Sequence, residues 1–291
     1  MPLRAKTPEK IEKRLKMFIY GPAGVGKTTS VLQFPSSYII DTEHGTDEYA
    51  EIIAASNSVV FNTTSLDDAR QEVRALLSEK HPYRTLVIDP ITHLYNDAQE
   101  KWARIFTKYA KTQKDAEIQD FGVRYWAKVK ADFKSFERLL LSLDMNVIVT
   151  AHQKDVYGQG FTKLGVTFDS MRGDDYVFDL VFRIERRNGL VYAIKEKERA
   201  LPGKNRFPNE FEWSYENFLE YYGKDVIERE AKPVELATEE QLEKLNKFLA
   251  VLNIPEEELM KILKKANVDS WEDMPRDKMQ LTLEWLENKV K

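Results

Sequence analysis

The stretch Gly21-Pro22-Ala23-Gly24-Val25-Gly26-Lys27-Thr28 satisfies the pattern G-x-x-x-x-G-K-[ST] at every fixed position, and nothing else in the chain constrains the fold as much. It follows the apolar run Lys16-Met17-Phe18-Ile19-Tyr20 and precedes a short segment stopped by Pro35. The residues therefore predict a buried strand, a glycine-rich turn and a brief helix. Such a turn wraps backbone N–H groups around a phosphate, and the helix start adds positive potential. Gly21, Pro22, Ala23, Gly24, Val25, Gly26, Lys27, Thr28 and Thr29 are the expected nucleotide contacts. Lys27 is expected on the β and γ phosphates and Thr28 on Mg²⁺. A plain glycine turn between strand and helix is the bland alternative.

Further apolar runs, each tipped by a polar residue, continue the pattern. Tyr38-Ile39-Ile40 leads into Asp41-Thr42-Glu43, Leu86-Val87-Ile88 into Asp89, and Val147-Ile148-Val149 into Thr150-Ala151-His152. Helical stripes lie between them, one of Leu66, Ala69, Val73, Leu76 and Leu77 behind the capping Ser65, another of Trp126, Val129, Phe133, Phe136, Leu139, Leu140 and Leu143. Fully apolar strands separated by helices imply a mostly parallel sheet covered on both faces. Residues 153–172 show no sustained period and include Gly158, Gly160 and Gly165, which predicts a mobile loop. Beyond them, two β-rich runs flank Asn188-Gly189, a strong hairpin signal.

The fold class expected is therefore α/β, a P-loop nucleotide-binding core with a C-terminal β-hairpin, plus a small all-α unit. Residues 1–227 form the core, 228–236 a charged linker and 237–291 the helical unit, which opens on a Thr238-x-x-Gln241 capping box. Composition narrows the chemistry. The absence of cysteine among 291 residues excludes disulfides and thiolate zinc sites, and four histidines leave little for a multi-histidine metal site. A net charge of −4 excludes a globally basic nucleic-acid coat, so any polyanion contact must be local. No apolar run approaches a membrane span and no secretion signal is visible, so a cytoplasmic protein is expected.

The acids at the strand ends are candidates for the chemistry. Asp89 has the setting of the acid that holds magnesium through water, though such a residue also commonly caps a helix or turn. Glu43, two residues beyond Asp41, would share the carboxyl edge of the sheet and is the general-base candidate, unless Asp41 or Glu43 merely caps the following turn. His152 leaves its strand at the same edge, either to sense the γ phosphate or as an ordinary structural histidine.

Taken together, these segments resemble the RecA-like ATPases. Tyr38-Ile39-Ile40-Asp41-Thr42-Glu43-His44 is similar to the segment whose glutamate activates water, and Leu86-Val87-Ile88-Asp89 to the Walker B strand. Ile148-Val149-Thr150-Ala151-His152 resembles the strand that ends in a glutamine sensor, with histidine in its place. Ile194-Lys195-Glu196-Lys197 looks like the lysine pair inserted into a neighbouring subunit's ATP; read alone, Lys195 and Lys197 are solvated edge charges. The resemblance implies ATP and Mg²⁺ as ligands and a homo-oligomer, ring or filament. The format as a whole is most like the phage-encoded single-strand annealing ATPases, which implies the host cytoplasm as location. Pro90 stands where that family's recombinase has serine, and the long N-terminal polymerising helix is absent.

In that family DNA is gripped by loops after the Walker B helix and after the sensor strand. The resemblance therefore points to Lys108, Lys111 and Lys114, and to Lys154, Tyr157, Phe161, Lys163 and Arg172. Cations that track phosphates and aromatics that stack on bases suit sequence-tolerant single-strand binding, diluted here by Asp155 and Asp169. The function implied is an ATP-dependent, single-stranded-DNA-binding ATPase promoting annealing or homologous recombination. A nucleotide-switched adaptor or helicase loader, or a hexameric helicase motor, is the alternative. The C-terminal helices would then dock a single-strand-binding or replication protein.

Overall fold

A computed structural model describes residues 13–110, 121–199, 206–252 and 254–290. Strand β1 (Lys16–Gly21) is buried along its whole length, which places it inside a sheet rather than at an edge. It is followed by α1 (Lys27–Val31), β2 (Ser37–Asp41), α2 (Ala50–Ala55), β3 (Val59–Asn62), α3 (Leu66–Ser78), β4 (Thr85–Asp89), α4 (Ile91–Ala110), α5 (Phe121–Ser142) and β5 (Asn146–Tyr157). Then come β6 (Lys163–Phe168), α6 (Asp174–Val177), β7 (Leu180–Arg187), β8 (Leu190–Glu198), β9 (Glu210–Glu212), α7 (Tyr215–Tyr222) and α8 (Lys224–Ile227).

The sheet order is β3-β2-β4-β5-β1-β7-β8-β9. The first six strands of this order pair in parallel, and β7, β8 and β9 close the far side as an antiparallel meander. Strand β5 lies between β1 and β4, so the strand before the glycine turn and the strand ending in Asp89 are one strand apart. Register then decides what meets: Gly21 pairs with His152 and Asp41 with Asp89, which brings those strand ends to one edge.

Two cores follow from the period of two along each strand. Phe18, Tyr20, Ile40, Ile88 and Val149 face α3, α4 and α5, while Met17, Ile19, Ile39, Val87 and Ile148 face α1, Phe211, Trp213 and α7. Each such side chain contributes about 1.5–3 kcal/mol by leaving water. The five α3 positions predicted from spacing are all buried, and Ser65 caps that helix by accepting from the Asp68 amide at 3.2 Å. Lys16 reaches under the sheet to the end of α5, where its ammonium donates to the carbonyls of Leu140, Leu143 and Met145 at 3.0–3.2 Å.

One sequence expectation needs correction: 153–172 is no loop. Strand β5 runs on past His152 to Tyr157 and folds back through β6 as an antiparallel hairpin, with Gln153 opposite Phe168 and Lys154 opposite Thr167. Gly158 and Gly160 belong to its turn, whereas Gly165 lies within a strand. Phe168 anchors the hairpin, its ring 5.0 Å from Phe18 and 5.8 Å from Tyr20. The hairpin at Asn188-Gly189 is as expected, with φ of 52° and 84° at its two turn residues. Strand β3, a β-branched and aromatic run that ends at Asn62, is not among the strands expected from the sequence, and β9 is too short to carry a signal.

At the foot of the β6 segment two buried carboxyls meet, Glu137 of α5 and Asp174 of α6, the latter bonded by the Ser170 hydroxyl. Burial, and then the charge of Glu137, push the Asp174 carboxyl up; burial also raises Glu137.

The C-terminal unit holds α9 (Glu239–Val251), α10 (Glu256–Ala266) and α11 (Arg276–Val290) around Leu245, Leu263, Met279, Leu283 and Leu286. Its first helix opens on the predicted capping box of Thr238 and Gln241. The charged stretch 228–236 lies along the core. Arg14 donates to the Arg229 carbonyl at 2.7 Å, the Val234 amide to the Leu77 carbonyl at 2.7 Å, and Ala231, Val234 and Leu236 pack on the core. Asp273 and Asp269 then bind Arg74 of α3 and Arg138 of α5.

Candidate functional site

The turn after β1 depends on its glycines. Gly24 and Gly26 have φ of +70° and +107°, a region that penalises any Cβ. At Gly21 a Cβ would stand 2.6 Å from the Ile184 carbonyl oxygen, so only glycine lets the turn lie against β7. Lys27 opens α1 and folds back inside the turn, donating to the carbonyls of Gly21 and Pro22 at 2.9 Å each. It is 9% exposed, and burial lowers its pKa against the pull of Asp89 and Glu43. A desolvated ammonium of this kind gains strongly from an anion brought within reach.

Thr28 donates its hydroxyl to Asp89 Oδ2 at 2.6 Å, and Thr150 of β5 donates to Oδ1. Asp89 is 3% exposed; burial raises its pKa, while the hydroxyls of Thr150 and Thr28 and the charge of Lys27 oppose the rise. The carboxylate is thus presented to the turn by two hydroxyls rather than used as a helix cap.

Asp41 and Glu43 divide the two roles left open by the sequence. Asp41 Oδ1 accepts from the amides of Glu43 and Gly45 at 2.9 and 3.3 Å, and Oδ2 from the amide and hydroxyl of Thr46 at 2.9 and 2.6 Å. Asp41 therefore builds the turn, and Glu43 is left on its rim facing the glycine loop. Glu43 Oε1 lies 2.8 Å from His93 Nε2 and 2.6 Å from His152 Nε2, and the two imidazole rings stand at 90° with centroids 5.4 Å apart. Their backbones are tied together. The Thr92 hydroxyl accepts from the His152 amide at 3.0 Å and donates to the Asp169 carbonyl at 2.8 Å.

Around these groups lies a cleft of about 520 Å³, lined by the glycine turn, Lys27, Thr28, Glu43, Asp89 and His152, and also by Tyr49, Gln153 and Arg186. Three of the site's residues escaped the sequence reading. His93 sits four positions beyond Asp89, and its place on the first turn of α4 was the available signal. Arg186 lies beside the Asn188-Gly189 turn with no sequence signal of its own, yet its guanidinium lies 3.2 Å from where a Cβ on Gly26 would be. Tyr49 ends a short 3-10 turn, Asp47–Tyr49, with no sequence signal of its own.

Lys195 and Lys197 do not line this cleft. A bulge between Val181 and Phe182 places them on opposite faces of β8. Lys195 is held by Glu198 at 3.0 Å and by the Phe207 carbonyl, Lys197 by the carbonyls of Asp175 and Phe178 at 2.6 and 2.8 Å. Of the cations and aromatics singled out for a polyanion, Lys108 is exposed on the last turn of α4, and Lys111 and Lys114 lie outside the described residues. Lys154, Tyr157, Phe161 and Lys163 all fall on the β5–β6 hairpin, with Phe161 91% exposed and Arg172 exposed just beyond. Lys154 pairs with Asp169 at 2.9 Å and Lys163 with Asp155 at 2.7 Å. Among the described residues no helix is long and apolar enough to cross a membrane.

A sequence profile of the AAA domain matches residues 13–207. No curated protein matches the chain. Among solved structures, the crystal structure of the RadB recombinase is similar at 18% identity, over 65% of this chain and 84% of that one, with a TM-score of 0.37. The α/β fold expected from the sequence, a mostly parallel core with a C-terminal hairpin and a helical unit, is the one observed.

Proposed function

The chain belongs to the AAA domain family, and from that premise we propose that it is a magnesium-dependent ATPase that works on single-stranded DNA, promoting annealing or homologous recombination as an oligomer. The observation that carries this reading is the convergence of a desolvated Lys27, the Thr28–Asp89 pair and Glu43 on one cleft at the carboxyl edge of the sheet. The residues fit both ligands. A cradle whose positive φ values demand glycine suits a triphosphate, and a hydroxyl with a buried carboxylate is the hard-oxygen set that magnesium prefers.

In this mechanism Lys27 exchanges the Gly21 and Pro22 carbonyls for β and γ phosphate oxygens. Thr28 and Asp89 would hold a magnesium ion, which would offset negative charge on the phosphates. Glu43, with Oε1 held by the imidazoles, presents Oε2 to the attacking water and takes its proton. Departure of the γ phosphate is felt at His152. Because β5 continues from His152 into the hairpin, that change reaches Lys154, Tyr157, Phe161 and Lys163, where the exposed aromatic tip stacks on bases. In the oligomer one of the two lysines on opposite faces of β8, Lys195 or Lys197, completes a neighbour's site by leaving its present partners, and the host cytoplasm is the setting of a phage-encoded version.

The test is ATP turnover with and without single-stranded DNA for wild type, Lys27→Ala and Glu43→Gln, with mass measured in each nucleotide state. Turnover raised by DNA, together with salt-sensitive and ATP-dependent DNA binding, is the expected result. Turnover that ignores DNA, with no such binding, overturns the DNA assignment and leaves a plain ATPase.

A further inference from the structure

The Glu43, His93 and His152 cluster holds more than a base and its supports. Each side chain offers one ligand atom, and the three atoms lie within 4.8 Å of one another. Two imidazole nitrogens and one carboxylate oxygen are the donor set of a zinc-class cation, and a poor one for magnesium, which prefers oxygen. The two kinds of metal are therefore separated by chemistry, one at Thr28 and Asp89, the other here.

Geometry and scaffold agree with this. Bonds of about 2.1 Å in a tetrahedral arrangement set ligand atoms about 3.4 Å apart. Glu43 has to withdraw Oε1 by roughly 0.6–0.8 Å from the two nitrogens, which a half-exposed side chain on the rim of a turn does readily, and the nitrogens, within 4.8 Å of each other, have to close by at most about 1.4 Å through rotation of two partly exposed rings. The backbone beneath each ligand is fixed independently of any metal. Asp41 ties the turn of Glu43, and Thr92 links the start of α4, which bears His93, to the amide of His152. Three protein ligands from three rigid elements leave a fourth position facing the cleft, as in two-histidine, one-glutamate zinc sites.

We infer that Glu43, His93 and His152 bind a divalent transition metal of the zinc class, and that its occupancy silences the ATPase by coordinating Oε1 and drawing charge from the carboxylate, which leaves Oε2 too weak a base to activate water. The second half rests on the proposed function; the first does not. Cobalt(II) is the direct probe, titrated by visible absorption into the full chain without nucleotide, followed by displacement with zinc against a chromogenic chelator. A single equivalent is expected to bind with the intense visible bands of a low-coordinate site. His93→Gln and His152→Gln are expected to weaken it by about tenfold or more, and His44→Asn, beside the cluster but outside it, to leave it unchanged. Both clustered histidines are partly exposed, and thermal melts of the apo variants verify that they fold.

A wild type that takes up no stoichiometric cobalt, or a His93→Gln variant that binds as tightly as wild type, overturns the site. In the second arm, zinc added to Mg·ATP slows wild-type turnover, a zinc-selective chelator restores it, and His93→Gln resists relative to its own metal-free rate. Binding without inhibition overturns the regulatory half. A chain with no ATP turnover at all refutes the proposed function, and the cobalt titration still decides the metal site.

Discussion

Asp41→Asn separates the residue that builds the turn from the residue that does the chemistry. Asp41 is 1% exposed and Thr46 3% exposed, so solvent does not easily replace a lost partner there. The asparagine oxygen can take the place of Oδ1 and keep the amides of Glu43 and Gly45. Its nitrogen then faces the Thr46 N–H, donor against donor, where Oδ2 had accepted at 2.9 Å. An orphaned buried amide costs about 1–3 kcal/mol, and loss of charge assistance from the remaining bonds adds roughly 1 kcal/mol. The sum, about 2–4 kcal/mol, corresponds to a fall in Tm on the order of 3–7 °C for a chain of this size. Because the turn carries Glu43 while Lys27, Thr28 and Asp89 stand on other elements, kcat should fall by about tenfold to a hundredfold, with nucleotide affinity little changed. The pH dependence has a definite sign. Burial alone would raise the Asp41 carboxyl, but the Thr46 hydroxyl and the amides of Glu43, Thr46 and Gly45 hold it below its ordinary value. A depressed carboxyl stabilises the fold above the unfolded value of about 3.9 and loses that contribution as pH falls through the folded value. The Tm gap between wild type and variant should therefore be flat from about pH 8 to 5 and close only below about pH 4. Thermal melts across that range, with phosphate-release kinetics at neutral pH, measure both. A variant as stable as wild type at pH 7 would refute the reasoning, as would a gap that widens on acidification.

Lys27→Ala should abolish nucleotide binding, read by a fluorescent ATP analogue, whereas Glu43→Gln should bind normally and turn over about 10²–10⁴-fold more slowly. Equal turnover for Glu43→Gln removes that residue from the mechanism. Glu137→Gln relieves the buried carboxyl pair. A raised carboxyl pKa costs stability progressively as pH climbs from the unfolded value, near 4, toward the folded one. The variant should thus melt higher than wild type at pH 8 and show a smaller advantage at pH 5; a lower melting temperature at both would contradict the pair. Phe161→Ala should leave the melting temperature unchanged, since the ring is 91% exposed, and weaken single-stranded DNA binding in fluorescence anisotropy by about 5- to 150-fold, the loss of one stacked base.

Local signals carried a large part of this molecule. The glycine-lysine-threonine turn, the fully apolar strands with acids at their tips, the Ser65 and Thr238 caps and the Asn188-Gly189 turn each act over a few residues, so their chemistry is legible from neighbours in the chain. The α/β class, the α3 core positions and the nearness of Gly21, Asp41, Asp89 and His152 followed from them. Contacts between distant segments were not legible. The 153–172 segment is a hairpin because Phe168 finds Phe18 and Tyr20, residues about 150 positions away, and no local period announces that. Asp41 and Glu43 exchange no role with each other until the Thr46 turn closes on one of them. His93 joins Glu43 and His152 only because β4 and β5 are neighbours and Thr92 bridges them, and Arg186 reaches Gly26 only because β7 pairs with β1. Periodicity and turn chemistry specify what each segment is. Which segments become neighbours is set by sheet order and register, free energies summed over the whole chain.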